Sequence, residues 1–146
     1  MESRIIRFLN HHHVLTLSTT SESGSWTAHC FYAFIPERQS LVFTSAHDTR
    51  HGREVLQNQR VSGGIMLETK VIGMIRGIQL TGTVFPVGDD GDSLEPVART
   101  AYLKKFPFAI ATKLDLWVLQ IDYLKMTDNR LGFGKKLEWR SGEHEL

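Results

Sequence analysis

The stretch FTSAHDTRHGREV, residues 43–55, is where one chain period gives way to another. Up to Phe43 and Thr44 the residues read as an apolar strand; from Asp48 or Thr49 the spacing becomes helical. The first turn of that helix carries Arg50, His51 and Arg53. A helix N-terminus is already electropositive, so cations there are mildly unfavourable. Two readings follow. In one, an anion belongs at the turn. A strand end, a loop of small residues and a helix start aim backbone N–H groups at one point. Thr44, Ser45 and Thr49 add hydroxyl donors, and Arg50 can grip two phosphate oxygens at once. In the other, Asp48 or Thr49 caps the helix and the basic side chains are solvated.

Working outward, a helix is expected over residues 3–13, where Ile5, Phe8, Leu9 and His12 recur at helical spacing. VLTLST (14–19), TAHCFYAFI (27–35) and LVFTS (41–45) read as strands joined by the turns SESGSW and PERQS. A helix over 49–59 leads to a fourth strand at VSGGIML. VIGMIRGIQLTGTVFPV (71–87) reads as one long fifth strand, with Gly73, Gly77 and Gly82 as places for bends or bulges. Ser93 is placed to cap a helix whose Leu94, Val97, Ala98, Ala101 and Tyr102 share a face. LWVLQIDYLKMTDN supplies a sixth strand, and LGFGKKLEW a short terminal one. Six or seven strands with few helices give a mainly β (α+β) chain. A small antiparallel barrel suits it, because closing the sheet removes exposed edges. The whole of 1–146 is expected to form one domain.

Charge narrows the function classes. Seventeen basic and sixteen acidic residues leave a net charge of +1, which speaks against a broad nucleic-acid or membrane surface. The single cysteine, Cys30, lies in an apolar run, as a buried thiol does, and cannot form an intrachain disulfide. No stretch approaches the roughly 20 apolar residues that span a bilayer. MESRIIRFLN has no signal-peptide core. A cytoplasmic location is the resulting expectation.

Other clusters carry less. His11, His12 and His13 point about 100° apart on a helix and cannot converge on one ion. DDGD (89–92) lacks the remaining ligands of a calcium loop. His29, His47 and His51 leave open a haem held by an axial imidazole. No carboxylate pair, Ser-His-Asp order or glycine-rich nucleotide loop stands out. Trp26, Trp117 and Trp139 suit either the core or an interface between subunits.

The order of helix, VLTLST…G…W, AHCFYAF, LVFTS…TRHGREVLQNQRVSGGI and IRGIQLTGTV resembles the pyridoxamine 5′-phosphate oxidase-like flavoproteins, from about residue 4 to 140. The ending TDNRLGFGKKLEW resembles a branch of small bacterial proteins with a TDN-x-LGFGKK-x-x-W tail. The resemblance implies an FMN-binding, six-stranded split β-barrel and a homodimer with flavin sites at the subunit interface. It implies that His29, Cys30, Phe31 and Tyr32 line the flavin ring with their backbone. It implies that Phe43, Thr44 and Ser45 touch ring and ribityl chain. Thr49, Arg50 and His51 stand where the family holds the FMN phosphate with Ser-Arg-Lys, so His51 replaces a lysine. Arg76 matches a strand that faces the flavin from the second subunit. Gly77 stands where the oxidase has Gln, and Gln79 lies two residues on. The oxidase's arginine-rich ending is not recognisable, which argues against pyridoxine 5′-phosphate as substrate. The implied activity is transfer of hydride or electrons between a nicotinamide or deazaflavin donor and a small organic acceptor. A flavin or haem carrier without turnover, or a barrel with a degenerate pocket, is the alternative. Lys135 and Lys136 of GFGKK either are solvated or border the flavin pocket.

Overall fold

Alternation sets the sheet. In β1 (Val14–Ser21), Leu15, Leu17 and Thr19 are buried, while Thr16 and Ser18 between them stay half-buried on the other face. The computed structural model describes residues 1–88 and 94–143. The remaining strands are β2 (Gly24–Ile35), β3 (Ser40–Thr44), β4 (Arg60–Met66), β5 (Arg76–Pro86), β6 (Leu116–Asp128) and β7 (Lys136–Arg140). All pairings are antiparallel, in the order β3-β2-β1-β4-β5-β6-β7. A further ladder, from Ser40↔Gln120 to Thr44↔Leu116, joins β3 to β6. The first six strands therefore close into a ring, and β7 hangs on the far half of β6. This is the mainly β, split architecture expected from the sequence.

The ring's interior is one apolar core, built around Leu15, Leu17, Tyr32, Phe43, Ile78, Leu80 and Trp117. Helix α1 (Ser3–His11) buries Ile5, Phe8 and Leu9 in it near the Val14 end of β1. Helix α2 (Arg50–Gln57) buries Val55 and packs by Glu54 against Thr19 and Ser21, at the other end of β1. The two helices thus sit at opposite ends of one strand. Helix α3 (Leu94–Lys105) lays Leu94, Ala98 and Tyr102 on Ala33, Ile35, Val42 and Val118. This second cluster lies on the opposite face of β3 from Leu41 and Phe43, which explains why LVF is an unbroken apolar run.

Two expectations need correction. The fifth strand does not begin at Val71. Residues Ile72–Met74 form a 3-10 turn, and the strand starts at Arg76. The apolar run VIGMI mimics a strand, yet Val71, Ile72, Met74 and Ile75 are all exposed and no core selects a strand there. β2 begins at Gly24, not Thr27, because Ser21↔Gly24 closes a tight hairpin with Gly24 at φ 106°. Of the three glycines in the fifth segment, Gly82 is the bulge: register with β6 shifts between Thr81 and Gly82. The proposed cap Ser93 and the DDGD cluster lie outside the described residues. Trp117 and Trp139 are core residues, whereas Trp26 is 43% exposed.

Candidate functional site

The junction of β3 and α2 is built by local hydrogen bonds. Thr49 caps α2: its Oγ1 accepts from the Gly52 N–H at 3.2 Å and donates to the Ala46 carbonyl oxygen at 2.8 Å. A Cβ on Gly52 would stand 2.9 Å from that Oγ1 and 3.0 Å from that carbonyl, so the loop closes only over a glycine. The Trp117 indole N–H donates to the Ser45 carbonyl at 2.8 Å, and the Ser45 N–H donates to the Asp115 carbonyl at 3.2 Å. Core and sheet thereby fix Ser45. Its Oγ contacts His51 Nε2 in a short hydrogen bond, and both lie 3.4 Å from Thr49 Oγ1. Two hydroxyls and an imidazole converge at the first turn of α2.

Electrostatics at this turn differ from what the sequence suggests. Burial holds the His51 imidazole below its ordinary value, opposed by the Glu54 charge, so it is mainly neutral near pH 7. Arg50 is drawn away from the cluster. Its Nε meets Glu54 Oε1 at 2.9 Å, and its guanidinium lies 4.2 Å from the Trp26 ring centroid. Glu54 is buried and also accepts from the hydroxyls of Thr19 (2.5 Å) and Ser21 (3.3 Å). These bonds, with that of Arg50, hold its carboxyl below the usual range. Glu54 and Trp26 are the partners the sequence reading missed. The Arg50–Glu54 spacing of four residues on a helix was the available signal.

The sheet next to this turn is incomplete. β2 pairs with β1 over Gly24–Phe31 and with β3 only over Tyr32–Ile35. Along Gly24–Phe31 the β3-side edge of β2 has no strand partner among the described residues. Phe31 is exposed there, and the exposed His29 joins its Nδ1 to Thr16 Oγ1 at 3.1 Å. Cys30 and Tyr32 alternate inward, and burial pushes the Cys30 thiol up to about 11. Phe43 is core, while Thr44 Oγ1 lies 3.2 Å from the Tyr102 hydroxyl.

The structure therefore brings residues 29–32, 43–45, 49 and 51 to one end of β3. Gln79 lies elsewhere: it projects from the outer face of β5 and borders a cavity of about 600 Å³ with Thr16, Gly64, Met66, Lys125 and Lys136. Arg76 also borders it, but falls on the same side of the pleat as the buried Ile78 and Leu80, opposite Gln79. Its side chain lies towards α1.

Comparison with known proteins agrees with this fold. Residues 1–127 match the family model described as pyridoxamine 5′-phosphate oxidase. The chain belongs to the pyridoxamine 5′-phosphate oxidase family. A UPF0306 protein of Serratia proteamaculans is 41% identical over 138 residues, 94% of each chain. Among solved structures, a heme binding protein from Mycobacterium smegmatis superposes with a TM-score of 0.71 at 20% identity. That match covers 91% of this chain and 55% of the other. A FAD-binding protein from Mesorhizobium loti gives 0.68 at 13% identity, covering 86% and 94%. The family's fold is thus present from α1 to β6. Among the described residues, no helix is long and apolar enough to cross a membrane.

Proposed function

We propose that the chain binds FMN where β3 meets α2 and acts, as a homodimer, as an oxidoreductase moving hydride or electrons between a nicotinamide-type donor and a small organic acceptor. One observation carries the reading: the unpartnered edge of β2 lies beside the Ser45, Thr49 and His51 cluster. A free strand edge offers alternating N–H donors and carbonyl acceptors. That row suits the polar rim of a flat heteroaromatic ring, and the cluster at the helix start suits a phosphate.

The donors fit the group in part. Ser45, Thr49 and His51 supply hydroxyl and imidazole contacts. Arg50 would reach the phosphate only through its terminal nitrogens, since Nε is taken by Glu54. When bound, FMN would supply the redox chemistry. The chain's part is to bind, to orient and to exclude water. Phe31 lies 5.6 Å from Phe106, which lies 5.0 Å from Tyr102, so an aromatic wall flanks the ring position. The homodimer reading is supported by the exposed Met66 at the end of β4 and Val71, Ile72, Met74 and Ile75 in the connection to β5. Haem binding by one structural neighbour and FAD binding by the other support a large planar cofactor.

A second reading is a haem carrier without turnover. It rests on His29, whose Nδ1 is engaged by Thr16, leaving Nε2 as the nitrogen for iron. An absorption spectrum after titration with FMN, and separately with haem, tests both. A flavin spectrum perturbed on binding, weakened in His51→Ala, is expected. A protein that leaves the FMN spectrum unchanged at saturating concentration overturns the proposal, and a Soret shift lost in His29→Ala favours the carrier.

A further inference from the structure

At the opposite end of the ring from α2, a cleft of about 620 Å³ opens between α1, the first residue of β5 and the 3-10 turn after β6. Four arginines face it: Arg4 and Arg7 from α1, Arg76 from β5, and Arg130 from the turn. Phe8 and Met126 form its apolar floor. Four guanidinium groups around one cavity repel each other strongly, and the protein neutralises only part of that charge. The fully buried Asp128 takes Arg130 by two bonds, Nε to Oδ1 at 3.0 Å and Nη2 to Oδ2 at 2.9 Å. Its Oδ2 also takes Arg4 Nη1 at 3.3 Å. One carboxylate thus serves two arginines.

Arg7 and Arg76 have no acidic partner among the described residues. Arg76 goes further: its Nε is buried and has no hydrogen-bond partner among the described residues. A buried guanidinium N–H without an acceptor is costly and uncommon, so it marks a missing acceptor. Burial first, and then the charges of His11 and Arg76, hold the neighbouring His12 imidazole below its ordinary value.

We infer that this cleft is an anion site for a small phosphate monoester, with Arg7 and Arg76 as its ligands. The excess of two unpaired guanidinium groups matches a dianion, and the planar fork of arginine matches phosphate oxygens. The volume exceeds that of a bare phosphate, and Phe8 and Met126 give an organic body an apolar surface. Asp128 holds Arg4 and Arg130 in place at the rim. The site is separate from the α2 turn and does not depend on FMN binding there.

The test is a nuclear magnetic resonance titration of the full chain, without flavin, using inorganic phosphate and then phenyl phosphate. Saturable shifts are expected at the amides of residues 4–12, 76, 77 and 130, with phenyl phosphate the tighter ligand. Arg7→Gln and Arg76→Gln should each weaken binding by about ten-fold or more. Arg7 is exposed on α1, so its variant decides the matter should Arg76→Gln not fold. Arg50→Ala should leave these shifts intact. Saturable shifts confined to residues 45–52 overturn the inference, as does binding weaker than roughly 10 mM or unaltered affinity in Arg7→Gln. Of these outcomes only shifts at residues 45–52 touch the proposed FMN site, and they would support it while overturning this inference; the others leave FMN binding open.

Discussion

Arg50 and Glu54 form an ion pair within α2, Nε to Oε1 at 2.9 Å, and the carboxylate side of that pair is buried against Thr19. The turn that carries three basic residues is therefore partly neutralised from within. An acid four residues on offsets the unfavourable placement of a cation near the helix start, and the Trp26 face supports the guanidinium. What remains at the turn is a hydroxyl and imidazole cluster at a helix start.

Glu54 gives the protein a pH signature. Its native carboxyl is held below its ordinary value of 4.5, by the Thr19 hydrogen bond first and Arg50 second. The unfolded chain therefore binds a proton more readily than the native one as pH falls. The stabilisation is complete above 4.5 and is lost as pH drops through the lower native value. Glu54→Gln should melt at a lower temperature than wild type at pH 7, and the gap should close as pH falls below 4. A gap constant between pH 7 and 3 would remove Glu54 from this role.

On the proposed reading, His51 would tune the affinity of the phosphate site. Burial keeps the imidazole mostly neutral near pH 7, so it offers a neutral donor where a lysine would offer a charge. His51→Lys should bind FMN more tightly at pH 7.5 by about 1 kcal/mol, roughly five-fold. Quenching of FMN fluorescence measures this. Equal or weaker binding by the lysine variant would place the phosphate elsewhere.

Gly82 fixes the closure of the ring. A Cβ there would fall on the Gln120 carbonyl oxygen and stand 2.7 Å from Leu119 Cδ2, both fixed in β6. Gly82→Ala should destabilise by about 1–3 kcal/mol or more. At Gly73 nothing among the described residues lies within 4 Å of an added Cβ, so Gly73→Ala should change stability little. Urea midpoints for the two variants check the contrast, and similar midpoints would mean that the bulge relaxes freely.

The fold was legible because each buried strand face left a period in the sequence. Leu15 and Leu17, Ile78 and Leu80, and Leu124 and Met126 alternate with half-buried or exposed neighbours. The run at 71–75 misled because hydrophobicity alone does not say what covers a residue. Those side chains face outward, where only a partner could cover them. The turn of α2 was legible in residue type but not in direction. That Arg50 points to Glu54 and Trp26 depends on β1 and β2 standing beside the helix. The cleft of Arg4, Arg7, Arg76 and Arg130 was not legible at all, since three segments far apart in sequence supply it and net charge conceals it.

Lys105 offers a test on the alkaline side. The last residue of α3 is half-buried: its Nζ donates to the His12 carbonyl and lies 4.3 Å from the Tyr32 ring centroid. Burial lowers its ammonium from 10.5 to about 8. Between those values the unfolded chain holds the proton and the native chain does not. By linkage, wild-type stability must therefore rise with pH across that window, relative to a variant without the amine. Below 8 the native protein carries the whole cost of a desolvated charge; above 10.5 neither state is charged and the cost is gone. Lys105→Met should accordingly exceed wild type in melting temperature at pH 7, with the advantage shrinking as pH approaches 10.5. Tyrosine ionisation is common to both proteins and cancels in the difference. An advantage that persists unchanged at high pH would trace to packing on Tyr32 rather than to the buried charge.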